Sequence, residues 1–159
     1  MKSIVKIGLI TSLALALNSC VKEEQYPIEP AIKYLDFVLN PDGSATLKYT
    51  FTDGDGDIGI EPEETGYNYF IHYYHKDGAG NFVPYNIPPG DTVALVVPYR
   101  IQPIYSINPG KKKKSSKGEI QITLYAPLFP AGETMKVACQ LFDQAGHSST
   151  LEFSPQLQP

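Results

Sequence analysis

The chain has 159 residues, with 13 Lys or Arg against 17 Asp or Glu, a formal net charge of −4. Such a mildly acidic balance argues against nucleic acid as a partner. Two cysteines provide no disulfide framework, and the length suits one domain with its own core.

Lys2 and Lys6 form a basic start, and Ile7 to Leu17 is an apolar run of 11 residues, too short to span a bilayer. Leu17-Asn18-Ser19-Cys20 then resembles a bacterial lipoprotein box, with Asn18 where a small residue is usual. The resemblance implies cleavage before Cys20 and acylation of that residue, which would anchor the chain to a membrane. Each buried CH₂ adds about 0.8 kcal/mol, and stable anchoring takes more than one chain. The alternative is an ordinary cleaved signal with a free cysteine. Removing residues 1–19 leaves 11 basic and 17 acidic side chains, a net of −6. Val21-Lys22-Glu23-Glu24-Gln25 resembles the surface-export signal of Bacteroidetes-type lipoproteins, or is a solvated acidic linker. Residues 20–30 are thus expected to be a tether that Pro27 and Pro30 stiffen, with the domain spanning 31–155.

Ile32 to Leu39 reads as a strand with imperfect alternation, and Asn40-Pro41-Asp42-Gly43 as a turn. From Ala45 to Thr52 the alternation is clean. Ala45, Leu47, Tyr49 and Phe51 share one face, the pattern of a half-buried strand in an antiparallel sheet. Further strands are expected at Tyr67–His75, Phe82–Ile87, Thr92–Tyr99, Glu119–Tyr125, Thr134–Phe142 and Ser149–Phe153. Asp77-Gly78 and Ala79-Gly80 mark a hairpin, and Pro84 marks an edge. No stretch keeps a 3.6-residue apolar period. The fold class is therefore all-β: one immunoglobulin-like antiparallel β-sandwich of about seven to nine strands, with a small barrel as the alternative. Cys139 shares parity with Val137 and Leu141, which predicts a buried thiol.

Between the second and third strands lies Thr52-Asp53-Gly54-Asp55-Gly56-Asp57-Ile58-Gly59. Carboxylates at i, i+2 and i+4 converge only if the backbone curls, which glycine permits. Two unit charges about 4 Å apart repel by roughly 4 kcal/mol at an effective dielectric of about 20. A hard cation that accepts six to eight oxygens in irregular geometry relieves this, which points to Ca²⁺; zinc prefers nitrogen or sulfur. Counted as an EF-hand loop, Asp53, Asp55 and Asp57 take positions 1, 3 and 5, the Gly59 carbonyl position 7 and Glu64 position 12. Ile58 stands where the EF-hand needs glycine, so the loop is a DxDxD calcium loop on a β scaffold. The alternative is a metal-free polar turn. In the immunoglobulin-like topology this B–C loop and the F–G turn at Asp143 lie at one end. Asp143 is therefore a candidate fourth ligand, or an Asx-turn residue.

Phe51 to Gly59 resembles the "F-x-D-G-D-G-D-I/L-G" stretch of Bacteroidetes-type outer-membrane lipoproteins. Lys117-Gly118-Glu119-Ile120 is similar to the same group, and Leu141 to Ser149 resembles its "D-x-A-G-N-x-S" turn, with His147 in place of asparagine. The resemblance implies an anchored, exported domain and carries no activity with it.

Other signals are weaker. His72 and His75 fall on opposite faces of a strand. Asp143, His147 and Ser148 sit too close in sequence for triad geometry. Lys111 to Lys114 with Lys117 form a basic run that reads as a solvated loop. Glu61, Glu63 and Glu64 lack the separation that paired catalytic carboxylates need. The expected function is a non-enzymatic interaction or accessory module at the outer membrane, facing the cell exterior, with a protein or glycan partner. A glycan-binding module of a nutrient-uptake system is the alternative, since 11 tyrosines offer rings with polar tips.

Overall fold

The computed structural model describes residues 24–87, 92–103, 115–125 and 133–158. The signal segment, Cys20 and the Lys111–Lys114 run lie outside them. The described chain forms eight strands: β1 (Ala31–Leu39), β2 (Ala45–Asp53), β3 (Tyr69–Lys76), β4 (Phe82–Pro84), β5 (Val96–Tyr99), β6 (Ser116–Leu124), β7 (Met135–Leu141) and β8 (Glu152–Phe153). All pairings are antiparallel. One sheet runs β1-β2-β6; the other runs β4-β3-β7-β8, with β5 also on β3.

Alternation along the strands makes the core. β2 buries Ala45, Leu47, Tyr49, Phe51 and Asp53 on one face, as a period of two requires. Facing them, β3 buries Tyr69, Ile71 and Tyr73, and β7 buries Met135, Val137, Cys139 and Leu141. Ile120, Ile122 and Leu124 of β6 complete one continuous cluster between the sheets. Each fully buried large apolar side chain stabilises the fold by about 1.5–3 kcal/mol. Tyr49 and Tyr69 meet edge to face across the sheets, centroids 6.4 Å apart. Cys139 is fully buried among these rings, and burial pushes its thiol up to about 11.

The imperfect alternation of the first strand has a cause. The β1–β2 register shifts between Tyr34 and Asp36, a bulge that turns Leu35 outward. The expected strands at Phe82–Ile87 and Thr92–Tyr99 are shorter because β4 and β5 share one edge of β3. β5 takes Tyr69 to His72 and β4 takes Tyr74 to Lys76. Between them Tyr73 donates its N–H to Leu95 O (3.2 Å), and its carbonyl accepts from Tyr85 N (2.8 Å). Pro84 and Pro98, which lack an N–H, sit on these edge strands.

Register fixes which loops meet. Ala31 pairs with Thr52, Asp53 with Ser116, and Tyr69 with both Tyr99 and Leu141. The start of β1, the end of β2, the start of β3 and the end of β7 therefore lie at one end of the molecule. Ordered contacts also run past residue 155, since Leu157 is buried and exchanges backbone hydrogen bonds with Met135.

Candidate metal centre

Asp53 is the last residue of β2 and keeps the inward parity of Phe51, so its carboxylate is fully buried. The chain then wraps round it: Gly56 N–H and Asp57 N–H donate to its Oδ2 at 2.7 and 3.0 Å. Gly56 reaches φ 74°, a left-handed conformation that glycine adopts without strain. This curl turns Asp57 back toward Asp53. From the other side comes the turn after β7. Ile58 bridges Asp143, Gln144 N–H donates to Asp57 O (3.2 Å), and Ala145 N–H to Asp57 Oδ2 (3.2 Å). Asp57 and Asp143 are each 6 % exposed. One carboxylate oxygen from each of Asp53, Asp57 and Asp143 lies within 4.8 Å of the others.

Like charges at that separation repel by roughly 3–4 kcal/mol per pair at an effective dielectric of about 20. Burial, with added repulsion from Asp55 and Asp57, raises Asp53 to about 6, against the opposing pull of the Asp57 and Gly56 N–H bonds. Its Oδ1 is buried and, among the described residues, has no hydrogen-bond partner; the same holds for Asp55 Oδ1. Asp143 is differently placed. Its Oδ1 accepts from His147 N–H and its Oδ2 pairs with His147 Nδ1, both at 2.7 Å. That bond to Asp143 raises the His147 pKa. The donor set is carboxylate oxygen, with no thiol or imidazole in the trio. Such a cluster can hold a metal ion, and its chemistry fits a hard cation.

The structure sorts the expected ligands. Asp53, Asp57 and Asp143 come together, the last from 86 residues further along the chain than Asp57. Asp55 is outside the trio and half-buried: the expected curl forms, with Asp53 accepting two successive N–H groups, and it brings together the first and third carboxylates of the loop. Glu64 corrects the EF-hand count. It is exposed, and its Oε2 accepts Glu61 N–H (3.3 Å) within a turn closed by Glu64 N–H to Glu61 O (3.0 Å). Ile60 N–H is drawn instead to Ile101 O (3.0 Å), so the chain leaves the cluster before position 12. The Gly59 carbonyl is likewise engaged, accepting from Gln144 Nε2 at 3.1 Å.

Two features were not read from the sequence. The first is His147, whose i,i+4 spacing from Asp143 was the available signal. The second is the segment before β1. A Cβ on Gly54 would lie 2.4 Å from the carbonyl oxygens of both Tyr26 and Pro27, so this glycine serves close backbone approach. The described part of the expected tether, from residue 24 on, therefore lies against the aspartate loop. Tyr26 N–H donates to Ser115 Oγ (3.3 Å), Glu24 pairs with Lys117 (2.5 Å), and Pro30 is buried. The search of known proteins adds no relative to this geometry: no protein-family model, no curated protein and no solved structure matches the chain.

Proposed function

We propose that this is a lipid-anchored, non-enzymatic accessory domain of the outer membrane whose β-sandwich is stiffened at one end by a structural Ca²⁺. One observation carries the reading. Asp53, fully buried at the close of β2, keeps an unpartnered Oδ1 beside the carboxylates of Asp57 and Asp143. A buried anion left without a partner is costly, and a divalent cation offsets both its desolvation and the mutual repulsion. Oxygen ligands and an irregular loop favour Ca²⁺ over zinc, and Mg²⁺ demands a stricter octahedron. Asp55 is within the same loop to complete the shell. The strand orders support the immunoglobulin-like reading: β1, β2 and β6 take the places of A, B and E, and β3, β7 and β8 those of C, F and G. The non-enzymatic reading rests on the acidic groups themselves. Asp53, Asp57 and Asp143 are gathered in the cluster, and Glu63 and Glu64 lie exposed on one loop, without the separation that paired catalytic carboxylates need. Anchoring through Cys20, export to the cell surface and a protein or glycan partner rest on the sequence motifs.

The test is a thermal melt of residues 24–159 with excess EDTA and then with Ca²⁺. A ligand at 100 times its Kd stabilises the folded form by about 2.7 kcal/mol. For a domain of this size that raises the Tm by roughly 5–10 °C. Identical melts would overturn the calcium reading, and a shift produced by Zn²⁺ alone would replace the ion.

A further inference from the structure

The segment ahead of β1 and the aspartate loop press on each other with no room to spare. A Cβ on Gly54 would lie 2.4 Å from the carbonyl oxygens of both Tyr26 and Pro27, so this glycine is the seat on which the segment rests. Gly54 directly follows Asp53, the fully buried carboxylate of the metal centre. On the other wall of the centre, Glu29 stands near enough to His147 for its charge to act on the ring that holds Asp143. Residues 24–30 thus reach from the β2 loop to the turn after β7, the two pieces of chain that the carboxylate trio joins.

Charge works against this contact. Residues 24–30 carry Glu24 and Glu29 and no cationic side chain, and they lie on a loop that holds Asp53, Asp55 and Asp57. Lys117 answers Glu24, but both side chains are more than half exposed, which makes the pair weak. Tyr26 N–H reaches Ser115 Oγ at 3.3 Å, the long end for a hydrogen bond. The fit over Gly54 is then the decisive contact, and it lasts only while the loop stays curled. The curl is closed by the Gly56 and Asp57 N–H groups on Asp53 Oδ2, and it gathers Asp53 and Asp57 against their mutual repulsion. A divalent cation in the trio favours the curl and at the same time lowers the negative charge beneath the segment.

We propose that Ca²⁺ acts as a latch on this segment: with the ion in the trio, residues 24–30 dock on the aspartate loop, and without it they detach. The proposal rests on the calcium reading and adds regulation to it. Docking and ion binding are linked, and the linkage is reciprocal. The ion strengthens docking by the same factor by which the docked segment strengthens binding of the ion. An ion with a structural role alone would stiffen the sandwich and leave the segment indifferent. In the anchored chain the latch sets the play of the domain on its linker. Undocked, ten residue steps run from Cys20 to Pro30, a reach of at most about 35 Å.

The test uses the chain from residue 20 with Cys20→Ser, so that no lipid is attached, and a spin label on Ile28→Cys. Ile28 is 50 % exposed and Cys139 is buried, so the label goes to one site. In EDTA the label should give the narrow lines of a mobile segment, and Ca²⁺ should broaden them. NaCl at equal or higher ionic strength should not, which separates an ion held in the trio from general screening. Asp53→Asn should give the same lines with and without Ca²⁺. In calorimetric titrations, removal of residues 20–29 should weaken Ca²⁺ binding roughly fivefold or more. Where the shortened chain does not melt cooperatively, the label decides. If calorimetry shows Ca²⁺ bound while the lines are the same in EDTA and Ca²⁺, the latch is overturned and the structural ion stands. Broadening by NaCl alone, or equal Ca²⁺ affinity of the two chains, would also overturn the latch. Absence of Ca²⁺ binding would remove the ion itself and the latch with it.

Discussion

At the scale of single residues, Asp53 concentrates the physics of this molecule. It continues the inward row of β2, where parity would place an apolar side chain, and a carboxylate occupies that position. Its pKa of about 6, set first by burial, makes the metal-free fold sensitive to pH. Between an ordinary carboxylate value near 4 and that raised value, the unfolded chain has released a proton that the folded chain keeps. Stability of the EDTA-treated domain should therefore be highest below about pH 4 with respect to this group, and fall as pH rises through about 6. Ca²⁺ should reverse the trend, because it binds the deprotonated cluster. Asp53→Asn carries the same reasoning further. It removes one negative charge from the trio, so it should raise the Tm in EDTA and abolish the Ca²⁺ shift. Scanning calorimetry at pH 5 and 7 checks both, and a variant with lower stability in EDTA would show that repulsion is not the dominant effect.

At the scale of elements, the sequence was most legible where one face is buried and the partner strand is regular. Ala45, Leu47, Tyr49 and Phe51 announced β2 because a half-buried strand leaves a period of two. β1 blurred that signal because a bulge inserts a residue, and such insertions leave no composition cue. The sharing of one β3 edge by β4 and β5 is a tertiary fact with no local signature. β6 starts at Ser116, earlier than the alternation suggests. Gly118 makes room there for the Phe51 ring, since a Cβ would lie 2.7 Å from Phe51 Cε1. The candidate site was legible in the same uneven way. Asp53, Asp55 and Asp57 followed from one i, i+2, i+4 spacing, which does not say which of the three converge, and Asp143 followed from topology. Glu64 was placed by an EF-hand count that a tight turn at Asp53 does not obey. Gly54 gives the clearest test at this scale. Gly54→Ala sets a methyl against the backbone of Tyr26 and Pro27 and should displace that segment. Limited proteolysis ahead of residue 31 should then be faster, with the core strands still protected. Gly78→Ala, which meets nothing within 4 Å, should cut like the wild type. Equal cutting of Gly54→Ala and wild type would show that the loop does not hold the segment.

At the scale of the whole molecule, the segment from Glu24 to Pro30 decides how the domain stands. It is held along the acidic end by Lys117, Ser115 and the backbone over Gly54. With an acyl group on Cys20, four residue steps separate the anchor from Glu24, a span of at most about 14 Å. The acidic end would then face the lipid, and the Asp77–Asn81 hairpin would point away, a β3 length or about 25 Å further out. Full-length acylated protein in vesicles can be labelled at Glu63→Cys or at Gly78→Cys, since buried Cys139 should not react. A quencher in the lipid headgroups should dim the first label more than the second. The reverse order would overturn this posture, and failure to sediment with vesicles would overturn the anchor itself.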